Sequence, residues 1–257
     1  MVIGKGTLLK IISIIPVTCL IKYTLFFGDA ADESIFSRRI ISEIFSMTRL
    51  GDMKTFVMTM DGMFFLFLFN LLFGTYIYKE FGTSSVYLFT RLKNRSKWLT
   101  HKSITLTSIS AVYVGIYLCT LACIVSIHKG FAINPVDIQR ILIVWFMLTI
   151  YASIMTILIN YLSIRFGSAI GFVLVFAFQM LLFSVIIQYE DIPDSILKPL
   201  ALYGNPASMV ALGMDDFSLQ QGALAIVDFL WLLTLILIGA KWINKFDIAL
   251  SDQETNG

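Results

Sequence analysis

Three charged residues stand inside long apolar stretches: Lys22, Asp61 and Asp228. A charged side chain near the middle of a hydrocarbon layer costs roughly 2.5–3.5 kcal/mol on insertion scales. Each therefore needs a partner, a route to the interface or a task. One amine and two carboxyls can pair, relay protons or hold a cation. With ~1.5 Å of rise per residue, all three fall at similar depth, roughly 7–10 Å below one surface. Lys22 and Asp61 lie in consecutive runs and can form an ion pair. Two readings follow: a polar patch in a cavity open to that surface, or a structural ion pair with a snorkelling side chain nearby. The acids cluster at one depth and do not make a chain across the membrane.

The other reactive groups offer little. Cys19, Cys119 and Cys123 all sit in apolar runs. Cys119 and Cys123 share a helical face, but without a histidine or carboxylate beside them they read as small packing residues. The two histidines, His101 and His128, lie near the ends of apolar runs, and HExxH is absent. GKGT at Gly4–Thr7 is a fragment of a phosphate-binding loop with no strand–helix unit after it, and GxSxG does not occur. No catalytic, cofactor-binding or metal-ligating set is expected, and the chain is not expected to be an enzyme. Asn70, Asn160 and Gln179 are neutral polar residues in apolar runs, placed to join helices by hydrogen bonds.

The composition says what must position these groups. The chain has 257 residues, 58% hydrophobic and 14% charged, against about 25% charged in an ordinary soluble domain. Too little polar surface exists to cover a soluble globule of this size. The same numbers exclude a disordered chain and a disulfide-stapled module. A net charge of +2 is too small to argue for a nucleic-acid partner. The expected fold class is all-α: a polytopic integral membrane protein in contact with lipid.

Crossing ~30 Å of hydrocarbon takes ~20 mostly apolar residues. Six such spans are expected, at about 8–27, 55–78, 104–127, 141–162, 168–188 and 223–242. The first is too long for a signal-peptide core and is read as retained. Orientation follows the basic residues. The link 79–102 holds Lys79, Arg91, Lys93, Arg95, Lys97 and Lys102 against Glu80, which places it in the cytoplasm. Both termini are then cytoplasmic too, in a multi-pass protein of the cell membrane. Short links make spans three, four and five antiparallel neighbours. Residues 28–54 form an external amphipathic helix, with Phe36, Ile40, Ile41, Ile44 and Phe45 on one stripe, lying on the membrane surface or capping the bundle. Residues 189–222, broken by prolines and glycines, hold two short apolar pieces, Ile196–Tyr203 and Ala207–Met214. They read as a re-entrant hairpin or a plain external cap. Gly167–Gly171 is a small-xxx-small pattern that serves either close helix approach or the turn.

The link 79–102 is longer than a turn needs. It has room for a short helix along the membrane, followed by a basic entry into span three marked by Trp98. Such an element sets topology and also offers a docking surface to a cytoplasmic partner.

Six spans, cytoplasmic ends, this basic loop and a proline-broken external segment resemble the permease subunit of type-2 ABC exporters. The stretch from Glu80 to Lys102, with Arg91, Arg95, Trp98 and Lys102, is similar to the corresponding loop of small bacterial permeases linked to peptide, bacteriocin or drug export and immunity. YGNPASMVALG at 203–213 resembles the external proline-containing stretch of that group. The likeness covers nearly the whole chain. It departs at 28–54, which is longer and more helical than the pattern, and that leaves the subfamily open. The resemblance implies two permease chains, identical or not, with two cytoplasmic ATPase subunits. ATP and magnesium would be held by the ATPase and no cofactor by this chain. A coupling helix would dock on the ATPase through Glu80, Arg91, Lys93, Arg95, Lys97 and Trp98. Spans one, two and five would line the permease interface. The cargo would be a hydrophobic or amphipathic peptide, bacteriocin or drug. Two rivals stand beside it: an ion-gradient-driven transporter or channel using Lys22, Asp61 and Asp228, and a membrane enzyme or structural anchor.

Overall fold

A computed structural model of the chain describes residues 64–82, 94–129, 135–188, 197–208 and 219–244. Every element among them is helical: α1 (Phe64–Phe73), α2 (Arg95–Lys129), α3 (Pro135–Phe166), α4 (Ser168–Ile187), α5 (Leu197–Tyr203) and α6 (Leu219–Ile243). Lipid offers no hydrogen bonds, so an apolar segment crossing it must satisfy its own backbone, and a helix does so. Among the described residues, five segments are long and apolar enough to cross a membrane: Phe64–Gly82, Arg95–Ile124, Pro135–Phe166, Ser168–Val185 and Gly222–Ile243. They fall on expected spans two to six. The expected first span at 8–27 and the link 28–54 lie outside the described residues, as do Lys22, Asp61, Arg91 and Lys93.

Two helices overrun their expected ends. At 35 residues, α2 is about 52 Å long, well beyond ~30 Å of hydrocarbon. It begins at Arg95 rather than at Ile104, because Asn94 caps it: Lys97 donates its backbone N–H to Asn94 Oδ1 at 3.0 Å. Residues 95–102, expected in the loop, are the first two turns of a helix long and apolar enough to cross a membrane. The remainder of a coupling element, 83–93, lies outside the described residues. At its own start, α3 has Pro135 in the first turn, where a missing N–H costs nothing, and Asp137 beside the positive end of the helix dipole. Apolar counting misses such polar terminal turns.

The centre of the bundle is α3, buried from Met147 through Ile157. Its neighbours can be read from paired residues. Trp145 Nε1 of α3 donates to Ala111 O of α2 at 2.8 Å and Tyr161 Oη of α3 meets Ser103 Oγ of α2 at 3.0 Å, so α2 and α3 are antiparallel. On α1, Asn70 meets Thr156 and Phe73 meets Asn160, so α1 and α3 run parallel. The chain reverses from α3 to α4 through Gly167, whose φ of +87° is a left-handed conformation that favours glycine. Gly167 therefore serves the turn. Gly171, its partner in the small-residue pattern, serves packing: a Cβ there would meet the backbone of Ser163. Beside α4, the short α5 leads into a buried turn in which Asn205 Nδ2 donates to Leu182 O at 2.8 Å and Asn205 Oδ1 accepts from Ala207 N at 2.9 Å. The first expected apolar piece of this region is thus α5; the second lies mostly outside the described residues.

Candidate functional site

The described residues concentrate their polar chemistry at three levels of the bundle. The first is a break in α1. The helix stops at Phe73, turns through Gly74 and Thr75, and resumes to Gly82. Ile77 N–H, which an unbroken helix would give to Phe73 O, goes to Asn160 Oδ1 at 2.7 Å. Tyr78 N–H reaches the same oxygen at 3.2 Å. The amide's other end donates to Phe73 O at 3.1 Å and to Thr156 O at 2.8 Å. Asn160 is 0% exposed. Its side chain has entered the helix ladder and taken both halves of one backbone bond, one of the recognised causes of a kink. One turn away, Thr156 Oγ1 donates to Asn70 Oδ1 at 2.7 Å. Asn70 and Asn160 thus join helices, and Asn160 also shapes one.

The second level is the basic end. Lys102 Nζ bonds Glu80 Oε1 at 2.5 Å, tying α2 to the end of the α1 segment. The same ammonium stands 5.9 Å from the Tyr76 ring centroid. Ser96 Oγ donates to Ala240 O at 2.5 Å, tying α2 to α6. Ser103 Oγ donates to Leu99 O at 2.9 Å, so the Tyr161 hydroxyl, 3.0 Å away, is the donor between those two side chains. Beneath that tyrosine lies Gly239, where a Cβ would strike the ring. Four helices are therefore pinned together within two turns of Arg95.

The third level lies where α3, α4 and α6 meet. Gln179 Nε2 donates to Tyr151 Oη at 2.7 Å. Asp228 lies within electrostatic reach of that hydroxyl and is 1% exposed. Gln179 Oε1 and Asp228 Oδ2 are both buried without a hydrogen-bond partner. One turn along the same helices opens an apolar cavity of about 620 Å³, lined by Ile154, Leu158, Leu162, Leu174, Val175, Phe178, Leu182, Gly204, Pro206, Trp231 and Leu235. Leu174, Phe178 and Trp231 are exposed at its rim. The volume lies within the ~300–1,000 Å³ typical of small-molecule sites.

The expected site residues divide accordingly. Glu80, expected in the docking loop, bonds Lys102 and stays partly exposed, where the α1 segment brings it beside the second turn of α2. Lys97 is exposed, and Arg95 and Trp98 are half-buried, all on α2 itself. Of the three intramembrane charges only Asp228 is among the described residues, so no Lys22–Asp61 pair is described. Cys119 and Cys123, expected as packing residues, lie on the exposed face of α2, opposite the buried Tyr113, Tyr117 and Leu121. Tyr151, Tyr161 and Ser103 carry bonds between helices that spacing did not single out. A tyrosine in an apolar run reads as core, and its partner comes from a distant part of the chain. Among the described residues no group of three or more His, Cys, Asp or Glu side chains could hold a metal ion. No family model, no curated protein and no solved structure matches the chain.

Proposed function

We propose that this chain is the membrane-spanning permease subunit of an ATP-driven exporter of the type-2 ABC class, driven by a separate ATPase. The basic end faces the cytoplasm, with both termini on that side. The observation that carries the reading is α2: one unbroken helix from Arg95 to Lys129, pinned at its basic end to α1 through Lys102–Glu80 and to α6 through Ser96–Ala240. A push on Arg95, Lys97 and Trp98 is delivered to a rod that crosses the bundle, with no intervening flexible joint. Residues 95–102 alone project about 12 Å beyond the apolar stretch. Arg91 and Lys93 extend the same docking surface, ATP and magnesium belong to the partner, and a second permease chain completes the unit. The cargo is hydrophobic or amphipathic. Rocking of packed helices on ATPase closure then changes access to it.

The test is a charge reversal. With Arg95 and Lys97 changed to Glu, the chain inserts and folds as before, but the co-expressed ATPase no longer co-purifies and its cargo-stimulated hydrolysis is lost. Unchanged coupled turnover in that variant removes the basic end from the mechanism. One observation favours a second reading, a carrier driven by an ion gradient: the unpartnered Oδ2 of buried Asp228. That reading expects flux in ATP-free liposomes, abolished in Asp228→Asn.

A further inference from the structure

We infer that the cavity between α3, α4 and α6 is a binding site for a lipophilic primary amine, its alkyl or aryl body among the apolar walls and its ammonium on Asp228 and Gln179. The site is contained in one chain. Its walls come from the fourth, fifth and sixth expected spans, and the fifth is also expected at the surface between two permease copies.

Two independent observations meet here. One is the cavity, of small-molecule size and walled by aliphatic and aromatic side chains. The other is the pair of buried atoms that lack partners, Asp228 Oδ2 and Gln179 Oε1, on residues that are not in the cavity wall but stand one helical turn from it. Buried polar groups in native proteins are nearly always bonded, and each orphan calls for an explanation. Gln179 Oε1 is an acceptor, and so is Asp228 Oδ2 whenever the carboxyl is ionised; in that state both lack a donor. One belongs to a carboxyl, so a positively charged donor is favoured over a neutral one.

The register joins the two observations. Tyr151 is one turn from the wall residue Ile154, Asp228 is one turn from Trp231, and Gln179 sits between Val175 and Leu182 on the stripe that α4 turns to the cavity. All three polar residues are on the three helices that make the walls. Tyr151, already the acceptor of the Gln179 amide, holds that side chain so that its oxygen is the free end. The described cations on these helices, Arg140, Arg165 and Lys241, each lie more than ten residues along the helix from Tyr151 or Asp228, and Lys198 is on α5. A long-chain alcohol would fill the walls but leave the carboxyl unmatched. A carboxylate amphiphile would bring like charge to Asp228. An ammonium with N–H donors satisfies both acceptors, and a quaternary ammonium supplies charge without donors.

The inference names a cargo class for the proposed exporter and rests on that reading for its purpose, but the site is tested by binding alone. The full-length chain, in phosphatidylcholine nanodiscs, is titrated calorimetrically with dodecylamine, with dodecanol and dodecanoate as controls. Partition into empty nanodiscs is subtracted. Saturable binding at one amine per chain is expected, with dodecanol and dodecanoate at least tenfold weaker. Asp228→Asn, which keeps the side-chain shape, is expected to weaken the amine at least tenfold, about 1.4 kcal/mol, and to leave dodecanol unchanged. Leu158→Trp, which fills the cavity and leaves the polar group intact, is expected to abolish binding of all three. Thermal unfolding of each variant shows that it is folded. Equal amine affinity in Asp228→Asn, dodecanol binding as tight as the amine, or only non-saturable partition into wild type overturns the assignment. So does a phospholipid that co-purifies at one per chain and is lost in Leu158→Trp but kept in Asp228→Asn. Asp228-dependent binding without ATP-driven turnover would leave the site and remove the exporter. ATP-driven transport without such binding would do the reverse.

Discussion

Asn160 makes an unusual number of contacts for one side chain, and its replacement can be worked through bond by bond. Three of its hydrogen bonds cross from α3 to the α1 segment: Ile77 N and Tyr78 N to Oδ1, and Nδ2 to Phe73 O. Asn160→Leu keeps the branched shape at a somewhat larger volume and removes all three. Interhelical hydrogen bonds in membranes are worth about 0.6 to 2 kcal/mol each, so the loss sums to about 2–6 kcal/mol if α1 stays kinked. The segment has one escape. It can close the ladder, returning Ile77 N–H to Phe73 O, but straightening swings residues 76–82 and carries Glu80 away from Lys102. The variant therefore loses either stability or the Glu80–Lys102 bond. Asn160→Asp separates the two ends of the amide. It keeps the acceptor for Ile77 and turns the donor into a second acceptor facing Phe73 O and Thr156 O, so it should be at least as damaging as leucine. The assay is reversible unfolding in mixed micelles, with Glu80 and Lys102 replaced by cysteines in a second set of variants to report their separation by cross-linking. If Asn160→Leu unfolds within about 0.5 kcal/mol of wild type, a margin below one interhelical bond, and the 80–102 cross-link forms at the normal rate, the kink does not depend on Asn160 and the reasoning is refuted.

Gly239→Ala places a methyl against the Tyr161 ring; overpacking of this kind costs about 1–3 kcal/mol, and unfolding in mixed micelles should show it, relieved by Tyr161→Leu in the same chain. Gly167→Ala puts a Cβ at φ +87°, which costs roughly 1–2 kcal/mol without touching any neighbour; the same unfolding measurement checks it, and Gly167→Asn should cost less. Exchanging the charges, Glu80→Lys with Lys102→Glu, should recover most of the loss from either single change, with a coupling of about 0.2–1 kcal/mol that shrinks in high salt because the pair is only partly buried; absence of coupling in the double-mutant cycle counts against the pair as a tie between α2 and the α1 segment.

Much of the scaffold was legible before any coordinates. Runs such as Ser168–Ile187 contain so few polar atoms that only a helix in lipid satisfies them, and the polar links between runs punctuate the chain. The chemistry was less legible. Asp228 stood out because a carboxyl in an apolar run is costly wherever it points. Tyr151 did not, since a buried tyrosine is ordinary until a glutamine from another helix is found on its hydroxyl. The start of α2 was misplaced because Arg95–Lys102 carries too many charges for an apolar window, although its cap residue, Asn94, was readable.

What the sequence determined by itself was the solvent each segment prefers, because transfer of a side chain between water and hydrocarbon is a property of the residue and adds along the chain. What only the tertiary structure decided was which polar groups meet. Asn160 breaks α1 across 83 positions of sequence, and Asp228 and Gln179 are each left with a buried oxygen unpartnered, one turn from the wall of one cavity. A hydrogen bond depends on the placement of two groups to within a fraction of an ångström. Helix rotation and register set that placement, and both are settled by packing in three dimensions rather than by the order of residues along any one helix.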